Sequence, residues 1–244
     1  MGLALARQDV HDSRRGEVLS LYVQPEERRR GIAHQLLAAA EDALRGTGCE
    51  EVSLGYKADS PAAPALERLL AAAGWEPPRP FTFWAQFDRR LLESPWANKP
   101  LPERLTVFPW NELTPDEYAR LSADPLSAHL FAPAATPDAE QELNYGVGVR
   151  AGDAVVGWVM AHPTGLQSAH YTHLYLQPEY RGGGAIFRLF SEAHRRQVAA
   201  MGLACTGTIT LSMSNEALVR VFRRKFLTYC LAWSESCRSW KRLA

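Results

Sequence analysis

Two short segments of the chain combine residue types that suit the binding of a phosphate or diphosphate. Residues 21–31 read LYVQPEERRRG and residues 174–184 read LYLQPEYRGGG. Each segment runs from a strand pattern through a basic, glycine-containing turn into a helix pattern. A helix that begins at such a turn directs unpaired backbone N–H groups and the positive end of its dipole toward the turn. The spacing therefore predicts anion binding at these turns.

The first turn has the residues that a bulky diphosphate requires. Gly31 and Ala33 leave room for the ligand to approach the backbone, and Arg28, Arg29 and Arg30 add positive charge around it. One charge at a helix N-terminus contributes only about 0.3–1 kcal/mol, so several donors must converge on the ligand. A solitary R-x-x-G-x-A would be better interpreted as an exposed basic loop. The strand before it and the amphipathic helix after it favour an anion site here.

The similarity of the two segments indicates an internal duplication. Seven of eleven aligned positions are identical, and the second segment follows 153 residues after the first. Two copies at this distance are typical of two related domains, since the repeats of solenoids are much shorter. We therefore predict two domains of related fold.

The second turn differs from the first at one position. Arg181 and Gly184 keep their places, but Ile186 stands where the first turn has Ala33. A branched side chain there crowds the start of the helix. We predict that the first turn binds the ligand and that the second is degenerate, with the reverse assignment as the alternative.

The elements around the first turn follow the order ββαβαβ. The predicted strands are residues 2–9, 17–23, 50–57 and 80–88, and the predicted helices are residues 31–48 and 63–75. The strands show alternating or aromatic-rich patterns, and the helices show apolar residues at helical spacing. Residues 89–103 contain three prolines and no periodicity, which is typical of a linker.

The second half repeats this order after additional elements. We predict strands at residues 104–110, 143–150, 154–163, 170–176, 205–212 and 227–242, helices at 114–124, 184–200 and 214–225, and a loop at 131–140. Thr114 and Pro115 have the residue types expected at the start of a helix. The second unit is therefore complete, whereas the first begins part-way through the same plan.

Composition argues against several classes of protein. The 244 residues include 27 basic and 27 acidic side chains, a zero net charge that disfavours a nucleic-acid binder. Four cysteines without a C-x-x-C pair are typical of reduced intracellular thiols. No apolar run approaches the ~20 residues that cross a bilayer, and no signal-peptide pattern is present. We predict a cytoplasmic protein with no nucleic-acid or membrane partner and, without an H-E-x-x-H or similar motif, no metal.

The segment EVLSLYVQPEERRRGIAHQLL, residues 17–37, resembles the acetyl-CoA-binding motif (Q/R)-x-x-G-x-(G/A) of the GNAT superfamily of acyl-CoA-dependent N-acyltransferases. Arg28, Gly31 and Ala33 fill the three fixed positions of the motif, and the β–α order extends the resemblance more loosely over both units. The resemblance implies acetyl-CoA as co-substrate, with its pyrophosphate at the turn and its pantetheine arm along the preceding strand. The implied binding residues are Leu21, Tyr22, Val23, Arg28, Arg29, Arg30, Gly31, Ile32 and Ala33.

The resemblance implies an α/β fold of two tandem GNAT-like domains, similar to that of mycothiol synthase-like enzymes. Each domain would have a mixed, mostly antiparallel sheet flanked by helices. Residues 1–92 would form an N-terminally truncated domain with the intact turn, and residues 99–244 a complete domain with the degenerate turn. The first sheet would then keep an apolar edge, which folded proteins avoid. We expect residues 99–244 or a second chain, as in a homodimer, to cover that edge and complete the acceptor site, unless the natural protein starts upstream.

Acid–base groups are the remaining requirement for acyl transfer to an amine. An amine with a pKa of about 10.4 needs roughly 4–5 kcal/mol to lose its proton at pH 7, so a base is useful. Glu17 matches the position at which several GNAT enzymes place a glutamate base, and an exposed strand-end glutamate is the alternative. His170 has the corresponding place in the second unit. It and His173 would face opposite sides of a regular strand, and structural histidines are the favoured interpretation.

The family often protonates the departing thiolate with a tyrosine, and the chain lacks a hydroxyl at the matching positions, Leu70 and Phe222. Either water supplies this proton or catalysis is weak. The sequence predicts a GNAT N-acetyltransferase that acetylates a small-molecule or peptide amine, with Glu17 as base. The alternative is a non-catalytic CoA-binding or scaffold protein derived from such an enzyme.

Overall fold

The structure, a computed structural model, describes residues 1–123, 145–181 and 184–243. The strands are β1 (Gly2–Gln8), β2 (Arg15–Val23), β3 (Glu51–Lys57), β4 (Arg79–Phe87), β5 (Thr106–Pro109), β6 (Val147–Ala151), β7 (Ala154–Gly165), β8 (Ser168–Leu176), β9 (Thr206–Ser212) and β10 (Cys230–Arg242). The helices are α1 (Ile32–Gly46), α2 (Ala63–Ala72), α3 (Pro115–Ala123), α4 (Ala185–Met201) and α5 (Glu216–Lys225). The predicted α/β fold with mixed, mostly antiparallel sheets is confirmed. The predicted loop at 131–140 lies outside the described residues.

The chain divides into two compact units. Unit 1 comprises residues 1–83, 212–216 and 234–244, and unit 2 comprises residues 84–211 and 217–233. The last segment of the chain therefore belongs to the first unit. The predicted domains, 1–92 and 99–244, stay a prediction, because compactness does not show which segments fold by themselves.

Unit 1 is built on the predicted ββαβαβ order and completed by the C-terminal strand. β1 pairs antiparallel with β2, and β2 pairs parallel with β3. The second half of β10 pairs antiparallel with the other side of β3, from Ser236 to Arg242. The apolar side chains of both helices, of β3 and of Leu243, the residue after β10, share one core, formed by residues that include Leu37, Leu44, Val52, Leu70 and Leu243.

The C-terminal segment joins the first sheet but does not cover its predicted open edge. Residues 234–244 do join unit 1, but they add to β3, on the side of the sheet away from β1. Within the described residues, β1 has β2 as its one strand neighbour. Leu3 and Leu5 on β1 are 61% and 52% exposed. A second chain on this edge stays a prediction.

Unit 2 repeats the plan and precedes it with further elements, as predicted. β5, β6, β7 and β8 pair antiparallel in succession, and β8 pairs parallel with β9. β7 and β8 correspond to β1 and β2, whereas β5, α3 and β6 have no counterparts in the described part of unit 1. Side chains from α3 and the strands, including Leu121, Trp158 and Met160, form a core on one face of this sheet.

The predicted linker at residues 89–103 is instead packed against unit 2. Its first residues form a 3₁₀ helix, Arg89–Glu93, and Leu91 is fully buried. Trp96 stacks on Phe226 with ring centroids 4.3 Å apart, and its indole N–H donates to the carbonyl of Lys225 at 3.3 Å. The prolines remove the helical periodicity that would have indicated an ordered segment. Leu91 and Trp96 are nevertheless buried, and the prediction of a linker was wrong.

Helix α3 begins with reciprocal capping hydrogen bonds, as the residue types predict. The backbone N–H of Glu117 donates to the Thr114 hydroxyl at 3.2 Å, and the Thr114 N–H donates to the Glu117 carboxylate at 2.8 Å. Arg150 on β6 donates two hydrogen bonds to the same carboxylate, at 2.6 and 2.9 Å. The Glu117 side chain is 7% exposed. Arg150 is the main reason that the pKa of Glu117 falls to about 2.

We expect Glu117→Gln to lower the free energy of unfolding of unit 2 by roughly 1–3 kcal/mol at pH 7. Because the folded-state pKa is lowered, this stabilisation is present above the unfolded value of 4.5 and is lost as pH falls toward 2. Urea unfolding at several pH values, followed by tryptophan fluorescence, measures both effects. The exposed neighbour Glu112 provides the matched control, Glu112→Gln. Equal acid sensitivity of the wild type and Glu117→Gln would contradict the assignment.

No described helix has the length and apolar character needed to cross a membrane.

Candidate functional site

The strands β2 and β3 separate part-way along their length in unit 1. Their parallel pairing runs from Arg15 and Glu51 to Val18 and Leu54 and then stops. β2 continues to Val23 and stays paired with β1 on its other side. The backbone groups of Leu21 to Val23 that point away from β1 therefore have no strand partner. This opening offers hydrogen bonds to an extended ligand between the strands.

The turn after β2 is shaped to present backbone N–H groups. Gly31 is the N-cap of α1 and has a left-handed backbone with φ of +78°, and Arg29 is also left-handed at +65°. Positive φ is rare and costly for a residue other than glycine, and such strain is concentrated at ligand-binding sites. Among the described residues, none accepts a hydrogen bond from the N–H groups of residues 29–33. These donors and the dipole of α1 form an anion site.

Two of the three arginines of this turn, Arg28 and Arg30, have different contacts. Arg28 donates from Nε to the carbonyl oxygen of Val23 at 3.0 Å, and so ties the turn to the end of β2. Arg30 forms an exposed ion pair with Glu27 at 3.0 Å. Exposed pairs of this kind contribute little stability, so Arg30 can exchange partners. Arg28 therefore shapes the turn, in addition to the charge that the sequence predicted for it.

Unit 2 repeats the opening between the strands at corresponding positions. The parallel pairing of β8 with β9 stops at Tyr171 and Ile209. Arg181 donates to the carbonyl of Leu176 at 2.7 Å, and Gly184 has a φ of +83°. The backbone differs at the arginine, because Arg28 is extended with ψ of 159° and Arg181 is helical with ψ of −6°. Degeneracy of the second turn stays a prediction.

Both units contain a bulge directly after the last residue of the parallel pairing, Val18 in unit 1 and Tyr171 in unit 2. The register skips Leu19 between β1 and β2, and it skips Thr172 between β7 and β8. An extra residue reverses the alternation of side chains along a strand. His170 and His173 therefore share one face of β8. The prediction that they face opposite sides was wrong, because a bulge has no distinctive sequence pattern.

The histidines of unit 2 form a row with a further histidine. His162 on β7 lies opposite His170, and the imidazole Nδ1 of His170 lies 2.9 Å from the Thr208 hydroxyl on β9. Burial, and secondarily the charge of His162, lowers the pKa of His170 and of His173. These imidazoles are therefore mostly neutral at pH 7.

Glu17 lies in unit 1 beside the point at which β2 and β3 separate. Each of its carboxylate oxygens accepts a hydrogen bond from a different arginine: Arg7 of β1 at 3.1 Å and Arg238 of β10 at 3.0 Å. The Glu17 side chain remains 23% exposed. The register of the hairpin places Arg7 directly opposite Glu17. Arg238 is 221 residues distant in the chain, and no sequence signal pointed to it.

Arg238 is held in a fixed plane across the sheet. Its guanidinium lies 3.7 Å from the ring centroid of Phe81, a cation–π contact. It also crosses over Gly55, where an added Cβ would lie 3.6 Å from its Nε. Nε is buried and has no hydrogen-bond partner among the described residues. A separation of 3.6 Å is an ordinary van der Waals contact, so the position of Arg238 does not require a glycine at residue 55. The pairing of β10 with β3 brings the charge of Arg238 to Glu17.

The positions of the missing family tyrosine are core positions here. Leu70 and Phe222 are 2% and 1% exposed. Tyr56 on β3 donates its hydroxyl to the Glu67 carboxylate at 2.8 Å. Burial and this hydrogen bond raise the pKa of Tyr56 well above its ordinary value. Its phenol is therefore protonated at neutral pH.

In each unit a parallel strand pair separates near the N-terminus of a helix, and this arrangement defines an α/β class of protein with a duplicated strand–turn–helix element. The model of the Acetyltransferase (GNAT) family matches residues 1–71 and 99–226. The chain belongs to this family. No curated protein matches the chain. Members of the family normally use acetyl-CoA as co-substrate.

Solved structures with a similar fold include a tandem GNAT protein and a GCN5-related N-acetyltransferase. A tandem GNAT protein from the clavulanic acid biosynthesis pathway is 17% identical, with a TM-score of 0.66 over 95% of this chain and 76% of that chain. A GCN5-related N-acetyltransferase from Sphaerobacter thermophilus is 16% identical, with a TM-score of 0.68 over 99% of this chain and 76% of that chain. At these identities the likeness shows the fold alone.

Proposed function

We propose that the protein is an N-acetyltransferase that transfers the acetyl group of acetyl-CoA to an amine, with acetyl-CoA bound in unit 1. The observation that carries this proposal is the opening between β2 and β3, which ends at the free N–H groups before α1. In the proposed pose the pantetheine arm pairs with Leu21, Tyr22 and Val23. The pyrophosphate lies on the turn formed by residues 28–33, where Ala33 leaves space.

The proposed reaction is a direct attack on the thioester. The neutral amine nitrogen forms a bond to the acetyl carbon, the carbon–sulfur bond breaks, and CoA leaves as a thiolate. A backbone N–H near Val23 would polarise the thioester carbonyl. The amine loses one proton through water to Glu17, and water protonates the thiolate. The products are an N-acetylated acceptor and free CoA.

A second candidate function, a non-catalytic CoA-binding protein, is favoured by the pairing of Glu17. Both oxygens of the carboxylate already accept hydrogen bonds from arginines. A carboxylate oxygen has two acceptor sites, however, so a water molecule can still bind to each. The two candidates therefore differ in turnover and not in CoA binding.

The test combines binding and turnover on the full chain. Calorimetry with acetyl-CoA measures binding, and release of free thiol with a panel of amines measures transfer. Acetyl-CoA binding with amine-dependent thiol release supports the enzyme. Binding without thiol release from any amine supports the non-catalytic protein, and absence of binding contradicts both.

We expect Glu17→Gln to lower turnover by about 10²-fold, as for the loss of a general base, with little change in acetyl-CoA affinity. The loss should be largest near neutral pH, because amines lose their protons without help at high pH. The pH–rate profile with a lysine-like amine measures this. Glu51→Gln on β3, whose carboxylate lies 3.9 Å from Arg15, is the matched control. An unchanged profile would remove Glu17 from the mechanism.

A further inference from the structure

The two arginines beside Glu17 carry more positive charge than the glutamate neutralises. Arg7 and Arg238 each use one terminal nitrogen, Nη2, to reach Glu17. The other terminal nitrogen of each guanidinium has no partner among the described residues. Two guanidinium groups and one carboxylate leave a net charge of +1. The cluster can therefore accept one further anionic group.

The cluster is not a requirement of the strand geometry. In unit 2 the same row of the sheet contains His162 in the place of Arg7 and His170 in the place of Glu17. The strands of unit 2 have the same bulge, and their parallel pairing stops at the same position, although neither of these two places holds an arginine. The ionic cluster of unit 1 is thus a property of that unit, and its chemistry calls for a separate explanation.

The face of the sheet that carries the cluster is open in unit 1. Leu5, two residues before Arg7 on the same face of β1, is 52% exposed, and Tyr22 is 51% exposed. The counterpart of Leu5 in unit 2, Met160, is 1% exposed and packs in the core that includes α3. Arg7 itself is 60% exposed. A small molecule can therefore reach the arginines from this face.

Arg238 has the properties of a preorganised carboxylate receptor. It is 26% exposed, and stacking on Phe81 fixes the plane of its guanidinium. A planar guanidinium with unused N–H groups binds a carboxylate with paired, charge-assisted hydrogen bonds. Glu17, the proposed base, lies between it and Arg7. A carboxylate bound by the arginines would place an amine of the same molecule close to Glu17.

We propose that Arg7 and Arg238 bind a carboxylate of the acceptor, so that the preferred acceptors are amino-acid-like amines that also carry a carboxylate. This inference rests on the proposed function, since it names the substrate class of the same site. The apolar side chains of Leu5 and Tyr22 would contact the rest of the acceptor.

The test compares amines that differ only in the carboxylate. The pairs are L-phenylalanine with phenethylamine, L-lysine with cadaverine, and L-ornithine with putrescine. We expect kcat/KM to be about 10–100-fold higher for the acid of each pair, which is the effect of a hydrogen bond to a charged group. Arg238→Gln and, independently, the exposed Arg7→Gln should reduce this ratio toward one. Arg242→Gln, on the same strand but beside Glu51, should leave the ratio unchanged.

A binding measurement keeps the inference separate from the proposed function. Calorimetry with CoA-loaded protein compares N-acetyl-L-phenylalanine with N-acetylphenethylamine, which requires no turnover. Tighter binding of the acid that is lost in Arg238→Gln supports the inference, even if no amine releases thiol. Equal binding of the two probes, equal kcat/KM within the pairs, or a ratio that survives in both arginine variants overturns it. Unchanged acetyl-CoA affinity verifies that the variants are folded.

Discussion

Gly31→Glu is expected to abolish acetyl-CoA binding, with affinity reduced by more than about 100-fold. The new carboxylate would stand at the N-cap of α1, where the pyrophosphate is proposed to bind, and like charges repel strongly there. A further cost of about 1–3 kcal/mol arises because a side chain is strained at a φ of +78°. Apart from its chain neighbours and the backbone of α1, no atom of the described residues lies within 4 Å of the added Cβ, so the substitution does not disturb side-chain packing. Calorimetry with acetyl-CoA measures the loss.

Two control variants separate charge from strain and one unit from the other. Gly31→Asn introduces a side chain that tolerates the left-handed region, and it should retain binding within a few fold. Gly184→Glu places the same charge at the same backbone conformation in unit 2, where φ is +83°. It should leave binding largely intact. If Gly184→Glu is the damaging variant and Gly31→Glu is not, acetyl-CoA binds in unit 2.

Removal of residues 234–244 is expected to unfold unit 1, although the deleted segment lies at the far end of the chain. The deletion removes the strand between β3 and β4 and the buried side chain of Leu243. It also removes Lys241, which pairs at 2.6 Å with Glu41, a residue 5% exposed. The free energy of unfolding of a single unit is only about 5–15 kcal/mol. We expect the loss of these contacts to exceed it. Acetyl-CoA binding should disappear, and the amplitude of the urea unfolding transition should fall, because unit 1 is already unfolded.

A pair of point variants tests the same dependence without a deletion. Lys241→Met leaves the buried Glu41 carboxylate with Trp75, whose indole N–H donates to it at 2.7 Å. Loss of one partner of a buried pair costs about 3–5 kcal/mol, whereas replacing both partners is often neutral. Glu41→Gln combined with Lys241→Met should therefore recover most of the stability. A fully stable deletion variant that binds acetyl-CoA would contradict the role of β10 in unit 1.

The sequence by itself determined the local elements and the duplicated turn. Alternating strands, helices with apolar faces, the capping residues of α3 and the glycine at the start of α1 depend on interactions between residues a few positions apart. These patterns are visible in a linear sequence because strand and helix periods are fixed by the backbone.

The tertiary structure decided the features that depend on distant segments or on a single inserted residue. Arg238 reaches Glu17 from 221 positions away, because β10 adds to β3. The bulge at Thr172 places the side chain of His173 on the same face of β8 as His170. Packing of Trp96 on Phe226 holds the segment whose sequence is typical of a linker. These features depend on which distant segments pack against each other. Short-range sequence patterns do not specify such contacts.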